Sequence, residues 1–323
     1  MPERTSKLCP LRDAAELVKD GARIAIGGFA IYQHPMAFLH ELVRQGRRDL
    51  TVVGVANGND VDLLAGAGCL KRVESSYVGL EKYGLARNFR RKVENGELEI
   101  VDYPELLSWD RFRASQENMT FWPASFLGGS DILRYNPDIK EFPCPLTGRR
   151  LWAVPPAAPD VVVIHAILGD TYGNVLVPSR RLLPQSLDIT LSRSCDTLIV
   201  TVERIVDTDE IVRLAHLNEI PAFRTTCIVE VPWGAHPCPV LGHYRTDDAH
   251  FREYVAASHT DEGFQDYLER YVYGIRDHAA YLEAVGMETL TPLMTGDAFP
   301  AEPSRQSLPG STFPTKEGQP HEQ

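Results

Sequence analysis

Two adjacent glycines at the end of an apolar segment form the first candidate site. Gly27 and Gly28 follow Ile24-Ala25-Ile26 and precede Phe29 in the string DGARIAIGGFAIYQHP, residues 20–35. Because glycine has no side chain, backbone N–H groups at the end of a strand become open to a ligand. We predict that Gly27 and Gly28 approach a ligand and that Phe29 packs under it. The alternative is a tight strand-to-helix turn, with Phe29 in the core.

A carboxylate, Glu105, lies just past a predicted strand over residues 98–103. The functional loops of a parallel sheet follow the carboxyl ends of its strands, and a positioned carboxylate can act as a general base. Glu105 is therefore the candidate catalytic residue. The alternative is a carboxylate that caps a helix beginning near Leu106, or one that only faces solvent.

Further polar residues follow other predicted strands. Asn57, in Asn57-Gly58-Asn59, carries an amide that can bind a carboxylate, although Asn-Gly is equally typical of a turn. Residues 170–174 (DTYGN) are typical of an Asx turn that starts at Asp170, and His236 is expected to hydrogen-bond backbone. The ten histidines form no HxxxH or HExxH pattern, so we expect no metal centre.

Strand and helix patterns alternate along the chain, which favours an α/β fold with one open, mostly parallel sheet flanked by helices. Strands are predicted at residues 23–26, 50–55, 72–76, 98–103, 161–167, 197–202 and 226–231. Helices are predicted at residues 35–44, 60–65, 84–95, 251–272 and 275–285. Residues 137–159 are rich in proline and indicate an excursion that leaves the sheet and returns. We expect one domain over residues 1–296 and a disordered tail over residues 297–323.

The composition excludes several classes of protein. The chain has 323 residues, 43% of them hydrophobic, and a net charge of −11, which does not favour nucleic-acid binding. The longest apolar runs are far shorter than the ~20 residues that cross a bilayer, and no secretion signal follows Met1, so we expect a cytoplasmic protein. The six cysteines are scattered with no CxxC, and we expect buried thiols rather than disulfides.

The glycine string resembles the opening motif of the α subunit of family I coenzyme A transferases. Gln33 stands where many members have glycine, as on the glutaconate-transferase side of the family. Further blocks resemble the family in order: Asn59-Asp60-Val61-Asp62-Leu63-Leu64, Ala67-Gly68, Ser76-Tyr77-Val78-Gly79-Leu80, Gly84-Leu85-Ala86, Asn88-Phe89-Arg90-Arg91, Gly169-Asp170, Tyr172-Gly173-Asn174, Val202-Glu203-Arg204-Ile205-Val206 and Val231-Pro232-Trp233-Gly234-Ala235-His236-Pro237.

This resemblance implies a sugar-phosphate-isomerase-like fold and a coenzyme A (CoA) thioester as substrate, with no permanently bound cofactor. It also implies a heteromer, expected to hold two α and two β subunits, in which a glutamate from the β chain attacks the thioester. Glu94-Asn95-Gly96 matches part of that nucleophile motif, but Val93 replaces its serine, and we predict a helix end there.

The resemblance also assigns the candidate site. It favours a contact of Gly27 and Gly28 with the CoA thioester, and we predict from their positions that Phe29 and Asn57 also lie against it. Gly128 and Gly129, in GGSD, resemble a block near the acyl pocket, although the preceding residues 122–126 depart from the usual pattern.

Two other functions remain open. The chain also resembles the α subunit of a bacterial hydrolase that opens steroid rings on CoA thioesters, in which a glutamate near position 105 is catalytic. Related folds also serve as non-enzymatic ligand sensors, but this chain has no helix-turn-helix pattern. A nicotinamide dehydrogenase is set aside because the glycine spacing is not GxGxxG and Pro35 interrupts the helix.

Overall fold

Seven parallel strands and one short antiparallel strand form the main sheet of the computed structural model, which describes residues 4–296 and 299. The strands of the described chain are β1 (Arg23–Ile26), β2 (Leu50–Val53), β3 (Ala56–Asn57), β4 (Leu70–Ser75), β5 (Tyr77–Val78), β6 (Glu99–Asp102), β7 (Trp122–Ala124), β8 (Lys140–Pro143), β9 (Arg150–Val154), β10 (Val161–Gly169), β11 (Val175–Leu176), β12 (Leu198–Ile205) and β13 (Cys227–Glu230). The helices are α1 (Leu11–Ala15), α2 (Met36–Arg44), α3 (Asn59–Gly66), α4 (Arg87–Glu94), α5 (Glu105–Gln116), α6 (Ile132–Tyr135), α7 (Leu183–Leu191), α8 (Thr208–Arg213), α9 (Asp248–Ala257), α10 (Asp261–Leu268), α11 (His278–Val285) and α12 (Met287–Leu290).

The order of the main sheet creates a switch point beside β1. The strands lie in the order β13-β12-β10-β1-β2-β4-β6, and β11 pairs antiparallel with β10. Strands β1, β2, β4 and β6 follow one another towards one edge of the sheet. The chain then returns to place β10 on the other side of β1. In such open parallel sheets, ligands bind outside the carboxyl ends of the strands where the order reverses. The turn formed by Gly27, Gly28 and Phe29, here called the glycine turn, follows β1 at this place.

The main sheet confirms the predicted fold class. Every residue of β10 is buried, as expected for a parallel strand covered by helices on both faces. Two apolar clusters fill the two sides of the sheet, one holding Phe38 and Leu39 of α2, the other Leu187 and Leu191 of α7. All seven predicted main-sheet strands are present, and β1 has the predicted bounds.

The proline-rich excursion and the earlier strand β7 form a second, smaller sheet. The antiparallel strands β7, β9 and β8 pair in that order, with Trp152 buried in a third apolar cluster. The prediction that residues 137–159 leave the main sheet and return is confirmed. Their pairing was not predicted, because these strands are short and β7 and β8 each contain a proline.

The single helix predicted over residues 251–272 is wrong. The structure divides it into α9, α10 and a π-helical segment, Glu269–Tyr273. The break follows from local capping, because Thr260 accepts a hydrogen bond from the backbone N–H of Gly263 (3.0 Å) and starts a new helix.

The expectation of free thiols throughout is also wrong. Cys9 and Cys227 form a disulfide with their Cα atoms 6.4 Å apart, which joins the N-terminal segment to β13. These cysteines are 218 residues apart, so spacing along the sequence gave no sign of the pair. Cys69 and Cys238 are buried free thiols, as predicted.

In the part of the chain that the structure describes, no helix has both the length and the apolar character needed to cross a bilayer. The predicted tail lies outside the described residues except for Phe299, whose side chain is buried against the main apolar cluster.

Candidate active site

A pocket of about 520 Å³ opens at the carboxyl ends of the strands on one side of the switch point. The glycine turn after β1, the β3 and β5 segments and the start of α5 all contribute to its wall. The lining residues are Phe29, Ala56, Ser76, Tyr77, Glu81, Asp102, Tyr103, Pro104, Glu105 and Ile132. The structure therefore brings together two of the predicted site residues, Phe29 and Glu105, which are 76 positions apart in the chain.

Glu105 lies at the first turn of α5, where the chain leaves β6. The helix begins at Glu105 itself, after Pro104, so its carboxylate does not precede and cap the helix as the alternative supposed. The side chain is exposed at the pocket, beside two other lining carboxylates, Glu81 and Asp102. A carboxylate positioned at a pocket can act as a general base on a bound substrate or water. A catalytic role for Glu105 stays a prediction.

The backbone N–H groups of the glycine turn are not open to a ligand. Gly27 donates to the carbonyl of Val163 (2.7 Å), Gly28 donates to Oδ1 of Asp188 (2.8 Å), and Phe29 donates to the carbonyl of Tyr32 (2.9 Å). The expectation of bare N–H donors is therefore wrong. CoA contact by Gly27, Gly28 and Phe29 stays a prediction, and the Phe29 side chain is what this turn presents to the pocket.

Close packing explains both glycines. A Cβ on Gly27 would lie 2.6 Å from Oδ1 of Asp188, and one on Gly28 would lie 2.7 Å from Nδ1 of His34. Gly28 also has φ of +93°, a left-handed conformation that disfavours other residues. The turn is therefore enclosed by Asp188 on one side and by His34 on the other.

Asp188 is a functional candidate that the sequence analysis missed. It lies on α7, fully buried beneath the glycine turn, 160 residues from Gly28 along the chain. Burial raises the pKa of Asp188 to about 8, although the hydrogen bond from Gly28 works in the opposite direction. The carboxyl group is thus neutral at pH 7. No local motif marks Asp188, because its role depends on its contact with a distant turn.

Asn57 is buried next to the pocket rather than in its wall. Its Nδ2 donates to Asp60 (2.7 Å), and its Oδ1 accepts from the hydroxyl of Ser75 (2.8 Å). The amide is therefore used within the turn that starts α3, while its neighbour Ala56 lines the pocket. A direct ligand contact by Asn57 stays a prediction.

Gly128 and Gly129 lie on the exposed connection between β7 and α6. Neither glycine lines the pocket, but Ile132 at the start of α6 does. Gly129 has φ of +88°, and a Cβ added to it would meet nothing within 4 Å. The structure thus places this block beside the pocket, and its predicted contact with the acyl group stays a prediction.

The other polar blocks have structural roles. Asp170 forms the predicted Asx turn, accepting hydrogen bonds from the N–H groups of Tyr172 (3.0 Å) and Asn174 (2.9 Å). The expectation that His236 bonds backbone is wrong, because its ring contacts the hydroxyl of Tyr281 (2.7 Å) and the carboxylate of Asp247 (3.1 Å).

His236 also belongs to a buried cluster of potential metal ligands. Among the described residues, His236, Asp247 and His250 place three ligand atoms within 4.8 Å of one another. Asp247 also accepts the backbone N–H of His250 (2.9 Å) and caps α9. The carboxylate of Asp247 therefore already has hydrogen-bond partners within the protein. We assign a structural role to this cluster.

A parallel sheet with a pocket at its switch point, walled by a glycine turn and a helix-start carboxylate, defines an α/β enzyme that binds substrate at the carboxyl edge. Comparison with known families is specific: the coenzyme A transferase family model matches residues 11–230. The chain belongs to the coenzyme A transferase family.

Individual relatives agree with this assignment. The chain is 31% identical to the A subunit of glutaconate CoA-transferase from Acidaminococcus fermentans, over 88% of this chain and 93% of that protein. The crystal structure of that enzyme superposes with a TM-score of 0.85, covering 90% of this chain and 96% of that one. The cholesterol ring-cleaving hydrolase IpdA subunit of Rhodococcus jostii is 27% identical over 86% of this chain and 95% of that protein. An uncharacterized protein of Archaeoglobus fulgidus is 38% identical over 84% of this chain, which spans 60% of its length.

Proposed function

We propose that this chain is the α subunit of a heteromeric CoA transferase, which moves CoA from an acyl-CoA donor to a carboxylic acid. The observation that carries the proposal is the pocket at the carboxyl edge, walled by Phe29 of the glycine turn and by Glu105, in a chain of this family. The likeness to one subunit of glutaconate CoA-transferase over most of both chains supports it.

The proposed reaction needs a carboxylate nucleophile, which we assign to a β subunit. Its carboxylate attacks the thioester carbonyl and expels the CoA thiolate, leaving a mixed anhydride. The thiolate then attacks the enzyme's own acyl carbon, releasing the donor acid and forming an enzyme–CoA thioester, which passes CoA to the acceptor by the reverse steps.

The structure of Glu94 supports assigning the nucleophile elsewhere. As predicted, Glu94 ends α4, and Gly96 follows in the left-handed conformation with φ of +75°. Its exposed carboxylate accepts a hydrogen bond from Arg90 (2.6 Å) and does not line the pocket. The Glu-Asn-Gly string is therefore a helix end in this chain.

Apolar side chains beside the pocket support a partner subunit. Leu106, next to Glu105, is 57% exposed, and Tyr77 in the pocket wall is 40% exposed. Phe126 and Tyr135, before and at the end of α6, are also exposed. A second subunit that covers this face would bury these side chains and bring its nucleophile to the open pocket.

A CoA-thioester hydrolase is the second candidate. The exposed position of Glu105 at the pocket favours it, because a free carboxylate there can take a proton from water that attacks the substrate. This reaction needs no acceptor acid and no enzyme–CoA adduct.

Co-expression with a candidate β subunit, followed by assay of a short dicarboxyl-CoA donor with and without acetate, tests the proposal. We expect acetyl-CoA to form only when both chains are present, and a CoA adduct of the β subunit that hydroxylamine or borohydride traps. Free acid released at the same rate without acceptor, with no adduct, would establish the hydrolase instead.

A further inference from the structure

The ring of His34 holds the glycine turn through two carbonyl groups. Its Nδ1 lies 2.7 Å from the carbonyl oxygen of Gly27, and its Nε2 lies 2.7 Å from that of Ala30. The side chain is fully buried. A carbonyl oxygen only accepts hydrogen bonds, so both ring nitrogens have to donate, and neutral imidazole carries a single N–H.

We propose that His34 is a buried, doubly protonated imidazolium. It positions the two turns that border the candidate active site, the glycine turn after β1 and the turn between β3 and α3. The protonation state follows from the ring's two acceptors. The effect on catalysis rests on the proposed function. His34 acts as a positioning residue, because its ring contacts the turns and does not line the pocket.

Asp60 supplies the opposite charge. Its Oδ1 lies 3.5 Å from Nε2 of His34, and both side chains are fully buried. The same carboxylate accepts hydrogen bonds from the backbone N–H of Gly58 (2.6 Å) and from Nδ2 of Asn57 (2.7 Å). A buried cation needs a nearby anion whose remaining lone pairs are satisfied, and Asp60 meets both conditions.

The His34–Asp60 pair joins the turn after β1 to the turn before α3. The backbone N–H of Ala30 donates to the carbonyl of Ala56 (2.9 Å) at the same junction. One turn places Phe29 in the pocket wall and the other places Ala56 there. Loss of the extra proton would leave one carbonyl without its donor and Asp60 without its buried cation, so the two sides of the pocket would separate.

Two further titratable groups near His34, Cys238 and Asp188, are neutral at pH 7. Burial raises the pKa of the Cys238 thiol, which packs against the His34 backbone, to about 12. Burial likewise raises the pKa of Asp188, across the turn, to about 8. Asp60 differs from both, because its Oδ1 lies 3.5 Å from a ring nitrogen of His34.

Nitrogen NMR of the purified complex, labelled with ¹⁵N-histidine, tests the charge directly. The His34 signals are those absent from a His34→Gln variant. We expect two N–H-type ring nitrogens near pH 7, whereas one pyridine-type nitrogen would overturn the proposal. This readout is independent of whether the enzyme is a transferase.

Activity measurements test the positioning role. We expect His34→Gln to lower kcat/KM about 10- to 100-fold, because the pocket wall is displaced. We also expect the kcat/KM of the wild-type enzyme to fall with rising pH as the extra proton is lost, and this fall to be smaller in His34→Gln. His259→Gln, an exposed histidine on the α9–α10 connection, is the matched control and should change neither value. A folded His34→Gln enzyme with wild-type kcat/KM and pH profile would overturn the positioning role.

Discussion

The carboxyl oxygen Oδ1 of Asp188 lies 2.8 Å from the backbone nitrogen of Gly28, directly beneath the glycine turn. A fully buried acid thus holds a turn that carries one wall of the pocket. Gln33 adds to this support, since its Nε2 donates to the carbonyl of His165 (2.9 Å) and its Oε1 accepts from Gln185 (2.7 Å). The turn is therefore fixed from α7 as well as by His34.

Asp188→Asn should make the stability of the protein less sensitive to a rise in pH from about 4 to about 8. The pKa of Asp188 is raised from 3.8 to about 8, so between these values the native state holds a proton that the unfolded state has lost. The free energy of unfolding therefore falls as pH rises across this window, by at most about 1.4 kcal/mol per pH unit. Asparagine is neutral and can still accept from Gly28, so its loss of stability over the window should be smaller.

Thermal unfolding between pH 5 and pH 8 checks this prediction. The exposed Asp196→Asn serves as the control and should follow the wild-type curve. If Asp188→Asn and wild type lose stability in parallel, Asp188 is ionised in the native state and the prediction is wrong.

Gly28→Ala should cost much more stability than Gly21→Ala. Both glycines have positive φ, at +93° and +77°, so either alanine incurs a strain of about 1–2 kcal/mol. A Cβ at Gly28 would also press on the His34 ring, whereas a Cβ at Gly21 meets nothing within 4 Å. Urea unfolding should show the larger loss for Gly28→Ala, together with a fall in kcat/KM that Gly21→Ala does not cause. Equal losses would mean that the turn readily relaxes.

Glu74→Gln should destabilise the protein by about 3–5 kcal/mol, because it leaves Arg111 buried without its counter-charge. Burial alone would raise the pKa of Glu74, but hydrogen bonds and charges of Arg23 (2.9 Å) and Arg111 (2.6 Å) lower it to about 2. The contribution of Glu74 is therefore complete above about pH 4.5 and is lost as pH falls towards 2.

Glu94→Gln is the matched control for Glu74. Glu94 also pairs with an arginine, Arg90 (2.6 Å), but its side chain is 59% exposed, and such pairs contribute less than about 1 kcal/mol. Urea unfolding at neutral pH should separate the two variants clearly. Similar losses for both would show that burial of Arg111 is not what makes Glu74 important.

Glu105→Gln should leave folding unchanged because the side chain is exposed. If Glu105 acts only in the shape and charge of the pocket, we expect kcat/KM for CoA transfer to fall less than about tenfold, since the β subunit supplies the nucleophile. A loss of 10²–10⁴-fold would be typical of a missing general base and would favour the hydrolase. Glu94→Gln, at the exposed end of α4, is the control and should behave as wild type.

The sequence predicted the elements that local patterns determine. The apolar triplet before Gly27 predicted β1 at its observed bounds, and Gly96 correctly predicted the end of α4. The strands of the small sheet were missed because they are short and two of them contain a proline. Phe29 and Glu105 were found at the pocket because each follows a strand of a parallel sheet. Asp188 was missed because its partner Gly28 is 160 residues away.

His34 illustrates the remaining gap between sequence and site. It stands inside the motif that suggested the family, directly before Pro35. Its spacing from Gly27 and Ala30 gave no sign that one ring would meet both carbonyls, because that depends on the left-handed conformation of Gly28 and Ala30 (φ of +56°). Backbone conformations of this kind are not specified by residue type alone.

The most direct test of the proposed transferase is to run the reaction of the purified two-subunit complex in H₂¹⁸O with an acyl-CoA donor and acetate. In CoA transfer the oxygen atoms pass between acids and the enzyme carboxylate, so the released acid should contain no solvent ¹⁸O while acetyl-CoA accumulates. One solvent ¹⁸O in the product per turnover, at a rate that acetate does not change, would contradict the account and identify the enzyme as a hydrolase.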